Sequence, residues 1–376
     1  MAAIERAGLR RTLSAPSGID LSSNAYLGLA SDPRLVERMV SAVRREGCGA
    51  TASRLLRGHR EAFDRVERRF ARFKRSEGAL YFGSGYVANI GVLATFLEPG
   101  DVVFSDALNH ASLIDGMRLS KARRVIFPHR DVASLARLLA AENGPGQKFV
   151  VSESLFSMDG DKAPLAEYAS LCRSLGAALI VDEAHAVGVY GARGSGLIEE
   201  AGVEESVFLS INTAGKALGV AGAFVTGSTP AIEYLIQRAR TLIFSTAPPP
   251  GVADALEAAL TIVETEPERR ARVIALATTL RQRLAPHGFT AAAGGHIIPV
   301  VLGEAARAMA AADALASAGF DVRAIRPPTI PAGTSRLRIS INAQLDPATV
   351  ERFAATLENV LEQIDRVPVP ARNAET

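Results

Sequence analysis

The chain has 376 residues, of which 48% are hydrophobic and 22% are charged, and its formal net charge at pH 7 is +2. This balance is ordinary for a globular protein with a large core and excludes a largely disordered chain. Acidic and basic residues are mixed, so a nucleic-acid-binding surface is not expected. Two cysteines, no signal-like N-terminus and no apolar run of about 18 residues predict a cytoplasmic protein that neither spans nor binds a membrane.

Helices and short apolar strands alternate over much of the chain. Helices are predicted at residues 33–45, behind the capping pair Ser31-Asp32, and at residues 61–75. Strands are predicted at residues 79–82, 101–105, 124–127, 148–153, 177–182, 206–211 and 221–225. Several of these are apolar almost throughout, as strands buried on both faces of a parallel sheet are. The pattern predicts an N-terminal segment, residues 1–40, and a doubly wound α/β domain, residues 41–250.

A smaller α+β domain is predicted over residues 251–376. A helical pattern runs from Val252 to about Arg283, and Pro267 is expected to break or kink it. Further strands are predicted at residues 297–302 and 337–341, and further helices at residues 304–318 and 347–363. The last ten residues are predicted to form a loose tail.

Ligands of open α/β sheets bind beyond the carboxyl ends of the strands, so the residues that follow each strand are the candidates for chemistry. The first candidate group is the glycine-rich turn at residues 82–89, where a strand ends and a helix begins. The exposed N–H groups of such a helix start hold phosphate well. Gly83, Gly85 and Ala88 also fit a loose dinucleotide fingerprint, and a plain tight turn is the third interpretation.

The second group is Asp182 to His185, at the end of an apolar strand. A buried carboxylate needs a positive partner, and the pyridinium nitrogen of pyridoxal 5′-phosphate (PLP) is one. His185 could then reach the ring hydroxyl of the cofactor. The alternatives are a metal site or a structural histidine, although no further His or Cys lies nearby at ligand spacing.

The third group surrounds Lys216, within residues 210–219. Its small neighbours suggest that something bulky packs against the lysine, and a desolvated amine can form a covalent bond with a carbonyl group. Thr213 could add a hydroxyl to a phosphate site. The alternative is a surface lysine beside a turn.

The fourth group is Arg336 and Arg338, which share one face of a predicted strand because strand side chains alternate. The planar guanidinium group suits a substrate carboxylate, while a solvated sheet edge is the alternative. A phosphate loop followed by Asp, Lys and Arg is the order found in PLP enzymes of fold type I. The order of the four groups is therefore more informative than any one of them.

The sequence resembles the α-oxoamine synthases over nearly its whole length. The segments that carry the resemblance are residues 22–29, 49–58, 109–112, 156–165 and 325–333. The resemblance implies the fold of PLP-dependent transferases of fold type I, with a large, mostly parallel sheet domain and a smaller α+β domain. Two positions depart from the family pattern: Ala25, where a larger or acidic residue is usual, and Gln344, where a histidine is usual.

The resemblance also implies roles for individual residues. Lys216 would carry the cofactor, Asp182 would pair with its ring nitrogen, and His110 would stack on its ring. His185 would bond the ring oxygen. The remaining cofactor contacts are implied for Gly85, Tyr86, Ser157, Thr213, Ser245 and Thr246, the last two across the interface of a homodimer. Substrate contacts are implied for Arg10, Asn24, Thr329 and Arg338, the last of which would hold the amino-acid carboxylate.

The segment at residues 49–58 is most similar to the branch that condenses L-alanine with a pimeloyl thioester, on CoA or a carrier protein, in biotin synthesis. Lys216 would remove the Cα proton of alanine, and CoA and CO₂ would be released. The nearest alternatives are glycine acetyltransferase, 5-aminolevulinate synthase and serine palmitoyltransferase. Alternatives of other classes are a nicotinamide-dependent dehydrogenase, which would use Asp106 to hold a ribose, and a catalytically inactive partner subunit.

Overall fold

The computed structural model describes residues 10–288 and 294–366, and its contacts divide the chain into two compact units. The larger unit comprises Asn24–Ser157 and Asp161–Ala271, and the smaller unit comprises Met1–Ser23, Met158–Gly160 and Arg272–Thr376. The last ten residues, for which a loose tail is predicted, lie outside the described residues.

The elements follow the predicted ones closely. The strands are β1 Ile19–Asp20, β2 Gly78–Phe82, β3 Val102–Asp106, β4 Arg123–Phe127, β5 Lys148–Glu153, β6 Ala177–Asp182, β7 Val207–Thr213, β8 Ala223–Gly227, β9 Ile297–Gly303, β10 Phe320–Asp321, β11 Arg323–Ile325 and β12 Ser335–Ser340. The helices are α1 Pro33–Glu46, α2 Glu61–Lys74, α3 Gly85–Phe96, α4 Ala111–Ser120, α5 Val132–Ala141, α6 Leu165–Leu175, α7 Leu197–Ala201, α8 Thr229–Arg238, α9 Arg240–Ile243, α10 Gly251–Thr265, α11 Pro267–Leu284, α12 Ala305–Ser317 and α13 Pro347–Arg366.

The larger unit is built on a sheet in the order β2-β8-β7-β6-β5-β3-β4. Strands β3 to β7 pair in parallel, and β8 runs antiparallel to both β7 and β2. Residues Leu179, Ile180 and Val181 of β6 are all fully buried, which explains why the strand does not alternate in polarity. The predicted doubly wound, mostly parallel sheet is confirmed.

The reversal at β8 follows from the length of its connection to β7. The link at residues 214–222 is too short for a parallel crossover, which needs about a dozen residues. Lys216 lies in this link, directly beyond the carboxyl end of β7.

The predicted helix from Val252 to about Arg283 is two helices in the structure. α10 ends at Thr265 and α11 begins at Pro267, where the missing N–H group of proline costs no hydrogen bond. Helix α10 packs against α1 and α2, so it belongs to the larger unit although the sequence placed a domain boundary before it. The contacts divide the chain at Arg272, within α11.

The smaller unit contains an antiparallel sheet in the order β11-β12-β9, against which α12 packs. Its core includes the fully buried side chains of Leu315, Leu337, Ile339 and Phe353. A parallel pair, β1 with β10, completes its strands. Over residues 10–288 and 294–366, no helix is both long and apolar enough to cross a membrane.

Candidate active site

The carboxyl ends of β5, β6 and β7 meet at one cavity of the larger unit. Glu153 and Asp182 are the last residues of β5 and β6, and Lys216 follows β7. The cavity has a volume of about 160 Å³. Predicted site residues that line it are Gly85, Tyr86, His110 and Thr213, together with Asp182, His185 and Lys216.

A chain of hydrogen bonds leads from Asn24 to Lys216. The Tyr26 hydroxyl lies 2.9 Å from Oδ1 of Asn24 and 2.6 Å from Nδ1 of His185, and Nε2 of His185 lies 2.7 Å from Nζ of Lys216. Because the Tyr26 hydroxyl donates its proton to Asn24, its oxygen accepts the Nδ1 proton of His185. Nε2 of His185 is then the acceptor that faces Lys216.

Asp182 is buried and held by two donors. Its Oδ2 accepts from Nδ2 of Asn89 at 2.7 Å, and its Oδ1 accepts from the backbone N–H of Ala184 at 2.8 Å. Hydrogen bonds to a carboxylate favour its charged form. A carboxyl group held in this way is a suitable partner for a protonated ring nitrogen, the role that the sequence predicts for Asp182.

The predicted phosphate site lies at the start of α3. Ser84 caps this helix by accepting from the backbone N–H of Val87, and Gly85 is its first residue. A Cβ on Gly85 would lie 2.5 Å from Oγ1 of Thr213, so only glycine leaves room beside this hydroxyl. The exposed N–H groups of the helix start, with the Thr213 hydroxyl, fit a phosphate group.

His110 lies at the other side of the cavity, where it caps α4. Its Nδ1 accepts from the backbone N–H of Ser112 at 3.2 Å, and burial lowers the pKa of the imidazole. The ring is therefore held in one orientation and is neutral near pH 7, which suits stacking on a flat aromatic group. Together with the phosphate site, Asp182 and Lys216, it forms a set of residues that fits PLP.

Ser157 is buried but does not contribute to the cavity lining; its backbone N–H donates to Oε2 of Glu153 at 3.3 Å. Nearby, His129 bridges two buried carboxylates, with Nδ1 2.8 Å from Asp106 and Nε2 2.8 Å from Asp161. Burial alone would lower the pKa of His129, but the hydrogen bonds to both carboxylates outweigh it and raise the pKa to about 9. A charged His129 thus ties the segment after Ser157 to β3.

Replacement of His129 by glutamine is expected to lower the free energy of unfolding by about 2 kcal/mol at pH 6. The folded-state pKa of about 9 exceeds the value of 6.5 for an ordinary histidine, so the stabilisation is complete below pH 6.5 and is lost as the pH rises through 9. Urea unfolding of both proteins at about pH 6 and pH 9.5 measures the effect. The difference in unfolding free energy between wild type and variant should be smaller at the higher pH. An equal difference at both pH values would show that the charge of His129 plays no part.

Other predicted residues lie outside this cavity. Ser245 and Thr246 are exposed in the larger unit, and Asn24 is connected to the cavity residue His185 through the Tyr26 hydroxyl. Arg10 and Thr329 belong to the smaller unit, where Arg11 donates to the Thr329 hydroxyl at 3.0 Å.

The two arginines of β12 are buried in the smaller unit, each only 6% exposed, so the alternative of a solvated sheet edge is wrong. β12 is the central strand of its sheet, which is why its side chains are covered. Arg336 forms an ion pair with Asp159. Arg338 donates to Oγ of Ser340 at 2.9 Å.

The contacts of Asp106 argue against the dehydrogenase alternative. Its carboxylate bonds His129 and accepts from the backbone N–H groups of Leu108 and Arg130, so it is not available to a ribose. For the metal alternative, no three His, Cys, Asp or Glu side chains within residues 10–288 and 294–366 lie together as metal ligands.

Residues of the site that were not predicted from the sequence include Asn89 and Glu153, which line the cavity, and Tyr26, which contacts His185. Tyr26 and Asn89 lie within the segments at residues 22–29 and 82–89 that were singled out for other reasons. Their partners are remote in the chain, so no local signal identified them.

The chain matches the aminotransferase class I and II family over residues 16–357. It is 48% identical over 377 residues to the 8-amino-7-oxononanoate synthase of Anaeromyxobacter dehalogenans strain 2CP-1, covering 96% of this chain and 94% of that protein. A serine palmitoyltransferase structure from Sphingomonas wittichii superposes with a TM-score of 0.90 at 33% identity, covering 93% of this chain and 89% of that chain. The 8-amino-7-oxononanoate synthase structure from Francisella tularensis superposes with a TM-score of 0.81 at 27% identity, covering 93% of this chain and 99% of that chain. The chain therefore belongs to the aminotransferase class I and II family, and within it to the α-oxoamine synthases that its motifs resemble.

Proposed function

We propose that this protein condenses L-alanine with a pimeloyl thioester to give 8-amino-7-oxononanoate, free CoA or carrier protein, and CO₂, with PLP as its cofactor. The observation that carries the proposal is the position of Lys216, whose Nζ lies 2.7 Å from Nε2 of His185 in the cavity that also holds Asp182. The choice of substrates is supported by the names of its relatives. When bound, PLP supplies an aromatic ring that accepts the electron pair left at the amino-acid α-carbon.

Each residue of the cavity has its own role in the proposed reaction. Lys216 would hold the cofactor and, with its amine released when alanine binds, would remove the Cα proton as a general base. Asp182, which accepts a hydrogen bond from Asn89, would pair with the ring nitrogen of the cofactor. The α-carbon then attacks the thioester carbonyl, the thiol leaves, and the carboxylate departs as CO₂. Lys216 finally returns a proton to the same carbon.

Arg338, whose guanidinium group is buried on β12, is the proposed partner of the alanine carboxylate, the role that the family resemblance implies for it. We expect Arg338→Lys to raise the KM for alanine roughly 10- to 100-fold, since an ammonium group cannot bind a carboxylate in bidentate fashion. Steady-state kinetics with varied alanine measures it. Arg323→Lys, an exposed arginine of the same unit, is the control. An unchanged KM with a lower kcat would contradict this role.

A homodimer with shared sites is the proposed assembly, and it is supported by exposed apolar side chains beside Ser245 and Thr246. Phe244 is 71% exposed, and Leu56 is 78% exposed. Their segments lie side by side, because the backbone N–H of Ala247 donates to the carbonyl of Ala52 at 2.9 Å. Apolar patches of this kind mark protein interfaces.

The proposed location is cytoplasmic, as predicted from the cysteine content. Cys48 and Cys172 are both free thiols, which supports a reducing compartment. A carrier protein or CoA could each present the acyl group there.

The test of the proposed substrates is CoA release from pimeloyl-CoA in the presence of L-alanine, glycine or L-serine. Alanine should support release at the highest kcat/KM. The serine-using alternative has some structural support, because the serine palmitoyltransferase is a close structural match. Release with serine or glycine but not with alanine would replace the proposed function by that of another α-oxoamine synthase.

A further inference from the structure

Glu153 places a second carboxyl group beside Asp182. The two residues are paired in register on the parallel strands β5 and β6, so their side chains point to the same face of the sheet. Both are buried, with 2% and 5% exposure, and both line the cavity. The backbone N–H of Glu153 donates to Oδ1 of Asn109 at 3.1 Å, which fixes the end of β5.

The two carboxyl groups differ in their hydrogen bonds. Asp182 accepts from Asn89 and Ala184 at 2.7 and 2.8 Å, whereas the bond that Oε2 of Glu153 accepts from the backbone N–H of Ser157 is longer, at 3.3 Å. Oε1 of Glu153 is buried and has no hydrogen-bond partner among the described residues. Donors stabilise a carboxylate and burial opposes it, so Glu153, with the weaker hydrogen bonding, is the carboxyl group that favours the protonated form.

The groups around Glu153 also favour its protonated form. The titratable groups that line the cavity with it are Asp182 at the end of β6, His185 beyond it, Lys216 beyond β7, His110 at the start of α4 and Tyr86 in α3. Burial, and next the charge of Asp182, raise the pKa of Glu153 to about 8, against the opposing effect of Lys216. A second carboxylate here would hold Lys216 as an ammonium ion, which can neither bond a carbonyl carbon nor accept a proton.

We propose that Glu153 is a further residue of the cofactor site, which acts as a neutral acid and donates a hydrogen bond from its free oxygen to an acceptor atom of the bound group. Its proton leaves Asp182 as the single carboxylate among the side chains that line the cavity, so that the attraction for a protonated ring nitrogen is not divided between two carboxylates. The inference rests on the proposed PLP-dependent function and extends it to a residue that neither the sequence motifs nor the family comparison singled out.

The direct test is infrared difference spectroscopy of the PLP-loaded protein, comparing the wild type with Glu153→Gln at pH 7. Glutamine has the shape of the protonated acid and removes only its titration. The wild type should show the band of a protonated carboxyl group, and the variant should lack it. The absence of this band in the wild type would overturn the proposal.

Equilibrium dialysis of the PLP-loaded proteins measures their affinity for PLP and so tests the proposed hydrogen bond of Glu153. Glu153→Ala should weaken binding about tenfold through the lost hydrogen bond, while Glu153→Gln should stay within about threefold of the wild type. Ser154→Ala, the neighbouring buried residue outside the cavity lining, is the matched control and should change nothing. Wild-type affinity in Glu153→Ala, or an equal loss in both Glu153 variants, would overturn the proposal.

The outcomes separate this inference from the proposed function. If the wild type does not take up PLP or forms no product, the proposed function itself fails. If it binds PLP and turns over without the infrared band, only the role of Glu153 fails. Should Glu153→Ala fail to fold, the spectrum and affinity of Glu153→Gln still decide the question.

Discussion

Replacement of Lys216 by alanine should lower kcat by a factor of about 10³ or more and abolish covalent retention of the cofactor. The side chain serves twice in the proposed reaction, as the carrier of PLP and as the base at the α-carbon, and proton transfer alone typically contributes 10²- to 10⁴-fold. The phosphate site at Gly85 and Thr213 does not depend on this lysine. The variant should therefore still bind PLP, but without a covalent bond.

Borohydride treatment followed by denaturation and peptide mass spectrometry measures this directly. The wild type should carry the reduced cofactor on the peptide that contains Lys216, and the variant should lose all cofactor on denaturation. Lys162→Ala is the control, because Lys162 forms a partly exposed ion pair with Glu200, a type of contact that contributes little. Retention of full activity by Lys216→Ala would refute the assignment.

Replacement of Lys74 by methionine should destabilise the protein by about 3–5 kcal/mol. Nζ of Lys74 lies 2.5 Å from Oε2 of Glu183 and 2.5 Å from the carbonyl of Ser195, and both side chains of the ion pair are at most 3% exposed. Without the ammonium group, a carboxylate with no cation remains buried directly after Asp182. Urea unfolding of wild type and variant measures the loss.

The other contacts of Glu183 make a double variant informative. Its Oε1 accepts from the backbone N–H groups of Leu197 and Ile198, which a glutamine oxygen can also do. Lys74→Met combined with Glu183→Gln should therefore recover most of the lost stability, because no charge remains buried. Lys162→Met, at the partly exposed ion pair with Glu200, should lower the free energy of unfolding by less than about 1 kcal/mol. A double variant no more stable than Lys74→Met would show that packing dominates instead.

The parts of the site that could be predicted are those with a local signal. Asp182 and Lys216 each follow an apolar strand, and the carboxyl ends of parallel strands are where ligands bind. Glu153 has the same position at the end of β5, yet its meaning depends on the register between β5 and β6. That register is set by tertiary packing and cannot be predicted from the sequence of either strand alone.

Long-range contacts explain the other differences between expectation and structure. Tyr26 bonds His185 across 159 positions of sequence, and no periodicity connects them. The spacing of Arg336 and Arg338 predicted a shared face correctly, but the ion pair of Arg336 with Asp159 joins residues 177 positions apart. Likewise, packing of α10 against α1 decides which unit that helix joins.

The most direct test of the proposed reaction uses L-alanine labelled with ¹³C in its carboxyl group, together with pimeloyl-CoA. One labelled CO₂ is expected for each CoA released, together with a product that has the mass of 8-amino-7-oxononanoate and contains no label. Label retained in an acylated alanine, or CoA release without labelled CO₂, would contradict a decarboxylating condensation at Lys216.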